Sequence, residues 1–399
     1  MSEATFVREA HDVELLTGPT AARILERFLG DKERLRTWEV HSVHHRPGAG
    51  VSVGYAVATS SRSRYLVAST ARLSTTNVTS ILMSGRLVSV WEYPRDPELP
   101  GLAIAASAKK MSALLRHPVS VELLNYRPTR RAVVKARESD GTVYFGKVMR
   151  PQQAADLARR HRLLTEAGVP VPRLVLEDQR GIVVTAAVPG EPLANVISRG
   201  MADSASGIFR DLTRSLDALP RSVLTMPRRP SWSERAGHYA HAASVVLPGE
   251  ADRCRRLAQG IAELMATSDP GPIVPTHGDF YEANIFLRKG GPQVSGIIDV
   301  DSVGPGYRVD DLACLLGHVS VLPHLAPAAY PYVARDLPQW VAAAEQGVDP
   351  VALNARCAGV ALSLVAGAKR TDGREWLADA QGRLESAEAW LERARSYRR

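Results

Sequence analysis

Asp279, Asn284 and Asp299 are the residues of this 399-residue chain whose types and spacing could do chemistry together. Asp279 ends His277-Gly278-Asp279, a turn that would expose a carboxylate, and Asn284 follows five positions later. Residues 285–287, Ile-Phe-Leu, read as a short apolar strand, and residues 288–291 carry a turn signal. Residues 294–300 read as a second strand that would deliver Asp299 at its end. Such a hairpin would bring the three side chains to one mouth, as a base plus two oxygen ligands for a hard cation such as Mg²⁺.

The spacing His277-x-Asp279-x-x-x-x-Asn284 is that of a kinase catalytic loop, where the Asp receives the substrate hydroxyl proton and the Asn holds metal. Gly278 stands where protein kinases carry Arg, and the second carboxylate lies in Ile298-Asp299-Val300-Asp301 instead of Asp-Phe-Gly. Asp310-Asp311-Leu312-Ala313 comes next. Together HGDFYEAN, IDVD and DDLA, in that order, resemble the aminoglycoside phosphotransferase and choline kinase family of small-molecule kinases. The resemblance implies an α+β, protein-kinase-like fold of two lobes, with a β-rich N-lobe and a helical C-lobe. It also implies transfer of a nucleotide γ-phosphate to a hydroxyl of a small molecule: a sugar, an amino sugar or an aminoglycoside-type antibiotic. ATP is the expected co-substrate, with GTP an open alternative, and Mg²⁺ the expected cofactor. Carried over residue by residue, Asp279 is the catalytic base, and Asn284 and Asp299 hold metal. His277 would brace the loop through a backbone carbonyl, and Asp311 would anchor the loop backbone. Asp301 has three readings: support for metal, a substrate ligand, or a solvated strand-end carboxylate.

The elements that must position these residues lie on either side. Residues 142–149 read as a strand carrying Lys147, which in the family would hold the α- and β-phosphates. Residues 151–167 read as a helix with Pro at its first turn and Gly168 as its stop. In the family a Glu on this helix pairs with the lysine; here Asp156 is the nearest carboxylate of the right kind, with Glu166 near the far end. Val188-Pro189-Gly190-Glu191-Pro192-Leu193 resembles the family's hinge, so adenine would lie against the backbone of Thr185, Ala186, Ala187 and Val188, with Thr185 gatekeeper-like. Arg127, Arg130 and Arg131 replace a glycine-rich phosphate loop, so cradling there would rest on backbone N–H groups and an Arg such as Arg127. Exposed turn arginines are the other reading.

Ahead of this the chain reads as helix over residues 1–37, strands over 40–45, 50–58, 64–69 and 86–93, a loop over 96–101 and a helix over 103–116. The meander then recurs at 121–126, 131–137 and 142–149. His45-Arg46-Pro47 lines up with Tyr126-Arg127-Pro128, and Arg64-Tyr65-Leu66 with Val143-Tyr144-Phe145, at offsets of 81 and 79 residues. This reads as an internal duplication, with Ala68 where the second copy has Lys147. Three parts follow: an N-terminal α/β cap domain (1–117), a kinase N-lobe (118–187) and a C-lobe (188–399). The cap is similar in placement to that of maltokinase-related kinases. The C-lobe reads as helices over 208–219, 232–243, 251–266, 311–318, 328–336, 337–345, 351–365 and 376–397, with a polar turn over 367–374.

Composition bounds the rest. Hydrophobic residues at 45% suffice for a sizeable core. The net charge of +8 comes with no nucleic-acid motif, and it makes a poor electrostatic host for a polycationic acceptor unless the pocket is locally acidic. Cys254, Cys314 and Cys357 have neither disulfide nor zinc spacing. With no signal-like start and no apolar run of membrane-span length, the expectation is a soluble, cytoplasmic protein with neither membrane nor nucleic-acid partner. Two other functions fit the motifs: a Ser/Thr kinase acting on a peptide, and a nucleotide-binding pseudokinase, for which the missing helix Glu argues. The short stretch 302–309 leaves little activation segment for a protein substrate and favours the small-molecule reading.

Overall fold

Two helices open the chain, α1 (Glu3–Thr17) and α2 (Thr20–Leu29), in a computed structural model that describes residues 3–46, 48–370 and 375–398. Ala21, Ile24, Leu25 and Leu29 recur at helical spacing and form the buried stripe of α2. The stripe packs on a sheet of β1 (Leu35–Arg46), β2 (Gly50–Thr59), β3 (Ser63–Ser69), β4 (Thr79–Met83) and β5 (Arg86–Glu92). The order is β1-β2-β3-β5-β4, all neighbours antiparallel. Val51, Val53, Tyr55 and Val57 alternate onto the helix-facing side, and the Tyr55 hydroxyl donates to the Leu16 carbonyl at 2.6 Å.

The pattern then repeats. A short pair, α3 (Leu102–Ala105) and α4 (Ala108–Leu115), precedes β6 (Ser120–Arg127), β7 (Arg131–Arg137) and β8 (Val143–Met149). Helix α5 (Pro151–Glu166) follows, then β9 (Leu174–Asp178) and β10 (Ile182–Ala186). The order β6-β7-β8-β10-β9 matches that of the first sheet strand for strand. Leu102, Met111 and Leu115 pack against Ala132, Val134, Tyr144, Val148, Ile182 and Val184. Each sheet also carries a bulge in its first strand, between Val40 and Ser42 and between Leu123 and Asn125.

The chain divides into two compact units. The first comprises residues 1–158 and 174–187, and therefore both sheets; the second comprises residues 159–173 and 188–399. In the second unit β11 (Glu191–Pro192) leads into α6 (Leu193–Arg199), α7 (Ala205–Asp217), α8 (Ala236–Val246) and α9 (Ala251–Thr267). Four short strands follow, β12 (Ile273–Thr276), β13 (Ile285–Leu287), β14 (Val294–Ile297) and β15 (Gly304–Tyr307). They form two small sheets, β11-β13-β14 and β12-β15. Then come α10 (Arg308–Leu325), α11 (Val333–Glu345), α12 (Pro350–Val365) and α13 (Leu377–Ser396). With a short turn after it, α12 (residues 350–368) is long and apolar enough to cross a membrane by length and composition, contrary to the sequence reading. Most of it is buried in this unit, packed on α8, α9, α10 and α13, and its Arg356 pairs with Asp310 at 3.0 Å, as in a core helix.

Several boundaries differ from expectation. The first strand starts at Leu35, inside the stretch read as helix, and β4 was missed altogether. The helix expected over 103–116 is two, parted where Ser107 takes an extended conformation and caps α4 through Lys110 N–H. The two helices expected over 328–345 are one, because Pro338 lies inside α11 instead of starting a new helix. The helix expected over 311–318 runs a turn earlier and two turns later. The polar turn expected over 367–374 falls partly outside the described residues. Finally, Ala68 is not the counterpart of Lys147. Leu66 and Ala68 point into the core under α1 and α2, as Tyr144 and Val148 do under α3 and α4. Lys147 lies on the other face and pairs with Val133; Ser69 pairs with Ser52, 81 positions before Val133, so the register assigns its place to Ser69.

Candidate active site

The site is built on the paired strands β12 and β15, closed by the Thr276 hydroxyl donating to the Gly304 carbonyl at 3.0 Å. The chain then turns through Gly278 at φ +77°, where an added Cβ would lie 2.9 Å from Ser302 Cβ and 3.0 Å from its carbonyl oxygen. Only glycine fits both the conformation and the space, which accounts for the residue that stands in place of Arg. Asp311, fully buried in the first turn of α10, accepts from His277 N–H and Gly278 N–H, each at 2.8 Å. Burial pushes its pKa up to about 7, against the pull of those two donors. His277 offers Nε2 to the Ile298 carbonyl at 3.1 Å and takes Asp279 N–H on Nδ1 at 3.3 Å, bonds that together fit a neutral ring. Phe280, with no exposed surface, lies edge-on to this ring.

Asn284 joins the pieces. Its side-chain NH₂ donates to the Asp279 carbonyl at 2.9 Å, and its own carbonyl accepts from Ile298 N–H at 2.9 Å. The loop bearing Asp279 and the loop bearing Asp299 are thereby tied through one residue. Strand β14 stops at Ile297, whose N–H bonds to Pro170, so the strand does not carry Asp299 as expected. Asp299 instead adopts φ 61° and ψ 45°, a left-handed conformation that costs a non-glycine residue about 1–2 kcal/mol. A short turn, Val300–Ser302, follows and carries Asp301. This departure from the strand re-aims the backbone at the residue expected to bind metal.

Asp279, Asn284, Asp299, Asp301, His277 and Asp311 thus all belong to the second unit, with Val188 at its entry. Lys147, Arg127, Asp156, Thr185, Ala186 and Ala187 belong to the first. Lys147 lies mid-sheet between Val133 and Val183; Thr185 and Ala186 pair with Phe145 and Tyr144, and Ala187 N–H bonds to Val143. Asp156 accepts from Gln152 at 3.3 Å, one turn away on α5. Arg127 and Arg131 face each other across the β6–β7 turn. The hinge-like stretch is pinned in the second unit by Ser295, whose hydroxyl donates to the Pro189 carbonyl at 2.7 Å.

Three residues near the site escaped the sequence reading. Glu282, buried three positions after Asp279, has one carboxyl oxygen without a hydrogen-bond partner; burial and then the Asp279 charge push it up to about 7. Its place inside HGDFYEAN was the available signal. His318 stacks on Tyr281 at 4.3 Å. Arg160 of α5 donates to the Val303 carbonyl at 2.8 Å, a bond across 143 positions with no local signature. Among the described residues no three His, Cys, Asp or Glu side chains gather into a metal cage. Asn284 and Asp299 offer two hard oxygen donors. That suits Mg²⁺, which keeps waters and substrate phosphates in its shell and needs only one or two protein ligands.

The profile of the Phosphotransferase enzyme family matches residues 129–357, more than half of the chain and every candidate site residue but Arg127. The chain belongs to that family, the aminoglycoside phosphotransferase and choline kinase group, and is a phosphotransferase of α+β, protein-kinase-like fold. Streptomycin 3''-kinase of Streptomyces griseus is 30% identical over 197 residues, covering 46% of this chain and 72% of that protein. Aminoglycoside 3'-phosphotransferase of Streptomyces fradiae is 29% identical over 163 residues, covering 39% of this chain and 61% of that protein. Among solved structures, a choline/ethanolamine kinase family protein from Mesorhizobium loti is 19% identical with a TM-score of 0.47, covering 73% of this chain and 97% of that one.

Proposed function

We propose that this phosphotransferase moves the γ-phosphate of ATP to a hydroxyl of a small sugar-like molecule, an amino sugar or an aminoglycoside-type antibiotic being the favoured class. The observation that carries the reading is the double tie at Asn284, to Asp279 and to Ile298, which joins the loop of the proposed base to the loop of the proposed metal ligand. Asp279 orients the acceptor hydroxyl and takes its proton late in a loose transition state. With its NH₂ group committed to Asp279, Asn284 would offer its side-chain oxygen to Mg²⁺, and Asp299 would offer its carboxylate. The bound ion would neutralise charge on the phosphate oxygens. Lys147 holds the nearer phosphates, the turn at Arg127 covers them with that arginine, and the backbone of Thr185 to Val188 takes the adenine. His277 and Asp311 keep the loop in shape and touch no reactant.

Asp279, Asp299 and Asp301 lie within a short span of a chain whose net charge is +8. Such a local run of acid favours a cationic amino sugar. A peptide acceptor is disfavoured because the stretch after Asp301 is taken up by β15, paired along its length with β12. The test is a nucleotide-consumption screen: purified protein, Mg²⁺, and ATP or GTP, against sugars, amino sugars, aminoglycosides and Ser/Thr peptides. Acceptor-dependent ADP release with a small molecule is the expected result. Turnover confined to peptides, or nucleotide binding with no turnover on any acceptor, would overturn the reading.

A further inference from the structure

We propose that Asp96 is a positioning residue for nucleotide binding: it clamps the β6–β7 turn, which the proposed function lays over the phosphates, in one shape. Asp96 is 4% exposed and lies on the segment between the two sheets, far from any motif. Its Oδ2 accepts from the Tyr126 hydroxyl at 2.7 Å, at the base of the turn, and from Thr129 N–H at 2.8 Å, at its tip. Its Oδ1 accepts from Glu98 N–H at 2.9 Å, and Trp91 Nε1 donates to the Tyr126 hydroxyl at 3.1 Å. Thr129 is held at φ +63° and is 7% exposed. A β-branched residue in that region is a conformational outlier and needs an external partner to stay there. A glycine-rich loop reaches such shapes because glycine permits them. This turn has none, and the charge-assisted bonds of a buried carboxylate impose the shape instead.

The first sheet supplies a comparison within the same chain. There Glu9 of α1 accepts from His45 Nε2 at 2.9 Å and from Gly48 N–H at 2.7 Å. His45 and Tyr126, and Gly48 and Thr129, each lie 81 positions apart, and Gly48 too is left-handed, at φ +81°. The same clamp therefore grips the first hairpin of both sheets. Only the second sheet has a lysine on its outer face, since Ser69 stands in the place of Lys147 in the first. The clamp serves a ligand in one copy and only the hairpin in the other.

The inference rests on the proposed nucleotide reading, and the test separates the two. Calorimetry on the full chain would use the β,γ-imido analogue of ATP with Mg²⁺, and adenosine as a ligand without phosphates. Asp96→Asn should weaken the triphosphate analogue about tenfold, the scale of one charge-assisted bond, and leave adenosine unchanged. Both Asp96→Asn and Glu9→Gln should lower the melting temperature, and Glu9→Gln should do so without moving either affinity. Adding Thr129→Gly to Asp96→Asn should restore part of the lost affinity, because glycine holds the turn unaided. Should Asp96→Asn not fold, Tyr126→Phe, which removes one of the two grips on the turn, should give a smaller loss in the same direction. Equal affinity in Asp96→Asn, or in Tyr126→Phe where that variant must decide, would overturn the role of Asp96, as would an equal loss in Glu9→Gln. Lys147→Ala guards the reading beneath: unchanged triphosphate affinity in that variant would overturn the nucleotide site and the clamp with it.

Discussion

His318, whose Nε2 is shut off from solvent, couples stability to pH. Its Nε2 has no hydrogen-bond partner, and burial, with a smaller effect from Arg383, lowers its pKa from 6.5 to about 4. The unfolded chain takes up this proton near pH 6.5 and the folded chain only near pH 4, so between those values the unfolded state binds more protons. The stabilising contribution is full above about pH 6.5 and is lost as pH falls through about 4. His318→Phe keeps an aromatic ring against Tyr281 and removes the titration. Its melting temperature should fall less than that of the wild type between pH 7 and pH 4.5, by roughly 5 °C. Parallel melting curves across that range would show that His318 does not titrate as described. At this scale the sequence was legible wherever chemistry dictates local spacing: Asp279, Asn284, Asp299 and Asp311 could be named from HGDFYEAN, IDVD and DDLA. It was silent where partners meet only in the fold. Thr129 lies 33 positions from Asp96, and Val303 lies 143 from Arg160. Such bonds leave no periodicity to read.

The element that matters most is the hairpin of β13 and β14, and there the reading of pattern overran. Residues 294–300 alternate well enough to pass for one strand, yet the strand ends at Ile297 and Asp299 turns left-handed with no glycine to announce it. The same limit explains β4, an edge strand whose apolar Ile81-Leu82-Met83 shows no alternation of residue type, although Leu82 is exposed between two buried neighbours. Strands buried on one face, such as β7, were legible to the residue. The strained exit from β14 makes a prediction. Asp299→Ala and Asn284→Ala should both raise the Mg²⁺ concentration needed for half-maximal rate, and Asp299→Ala should do so more, since it removes a formal charge. A roughly tenfold or greater drop in rate at limiting Mg²⁺ is expected for Asp299→Ala, the loss of one charged ligand bond. Rate profiles against Mg²⁺ that match the wild type in both variants would remove the pair from the metal site.

At the scale of the molecule, we propose that the two sheets are copies of one ancestral unit. Strand order, preceding helix pair, first-strand bulge and acid clamp all recur. The sequence retained a trace of this in two aligned hairpins. The helix pairs were not legible as repeats, since only their apolar stripes are shared. On this account the first copy binds no nucleotide, and a non-hydrolysable analogue should titrate to one site per chain; two sites would contradict it. The copies are also not independent. Trp91 bonds to Tyr126, and Asp96 grips the turn of the second sheet. Deleting residues 1–110 removes Leu99, Leu102 and Ala105 from the core of the second sheet along with the whole of the first. The exposed apolar face should drive aggregation. A soluble, monomeric and active fragment starting near Pro118 would show instead that the first copy is an appended module.

The central claim is that Asp279 acts on the acceptor and not on the nucleotide. The most direct measurement is Asp279→Ala, assayed for turnover with an acceptor found by the screen and for nucleotide binding by calorimetry. The account predicts a rate loss on the order of 10²–10⁴-fold, the scale of a general base, with nucleotide affinity close to that of the wild type. Full activity in Asp279→Ala, or a loss of activity matched by an equal loss of nucleotide affinity, would contradict it.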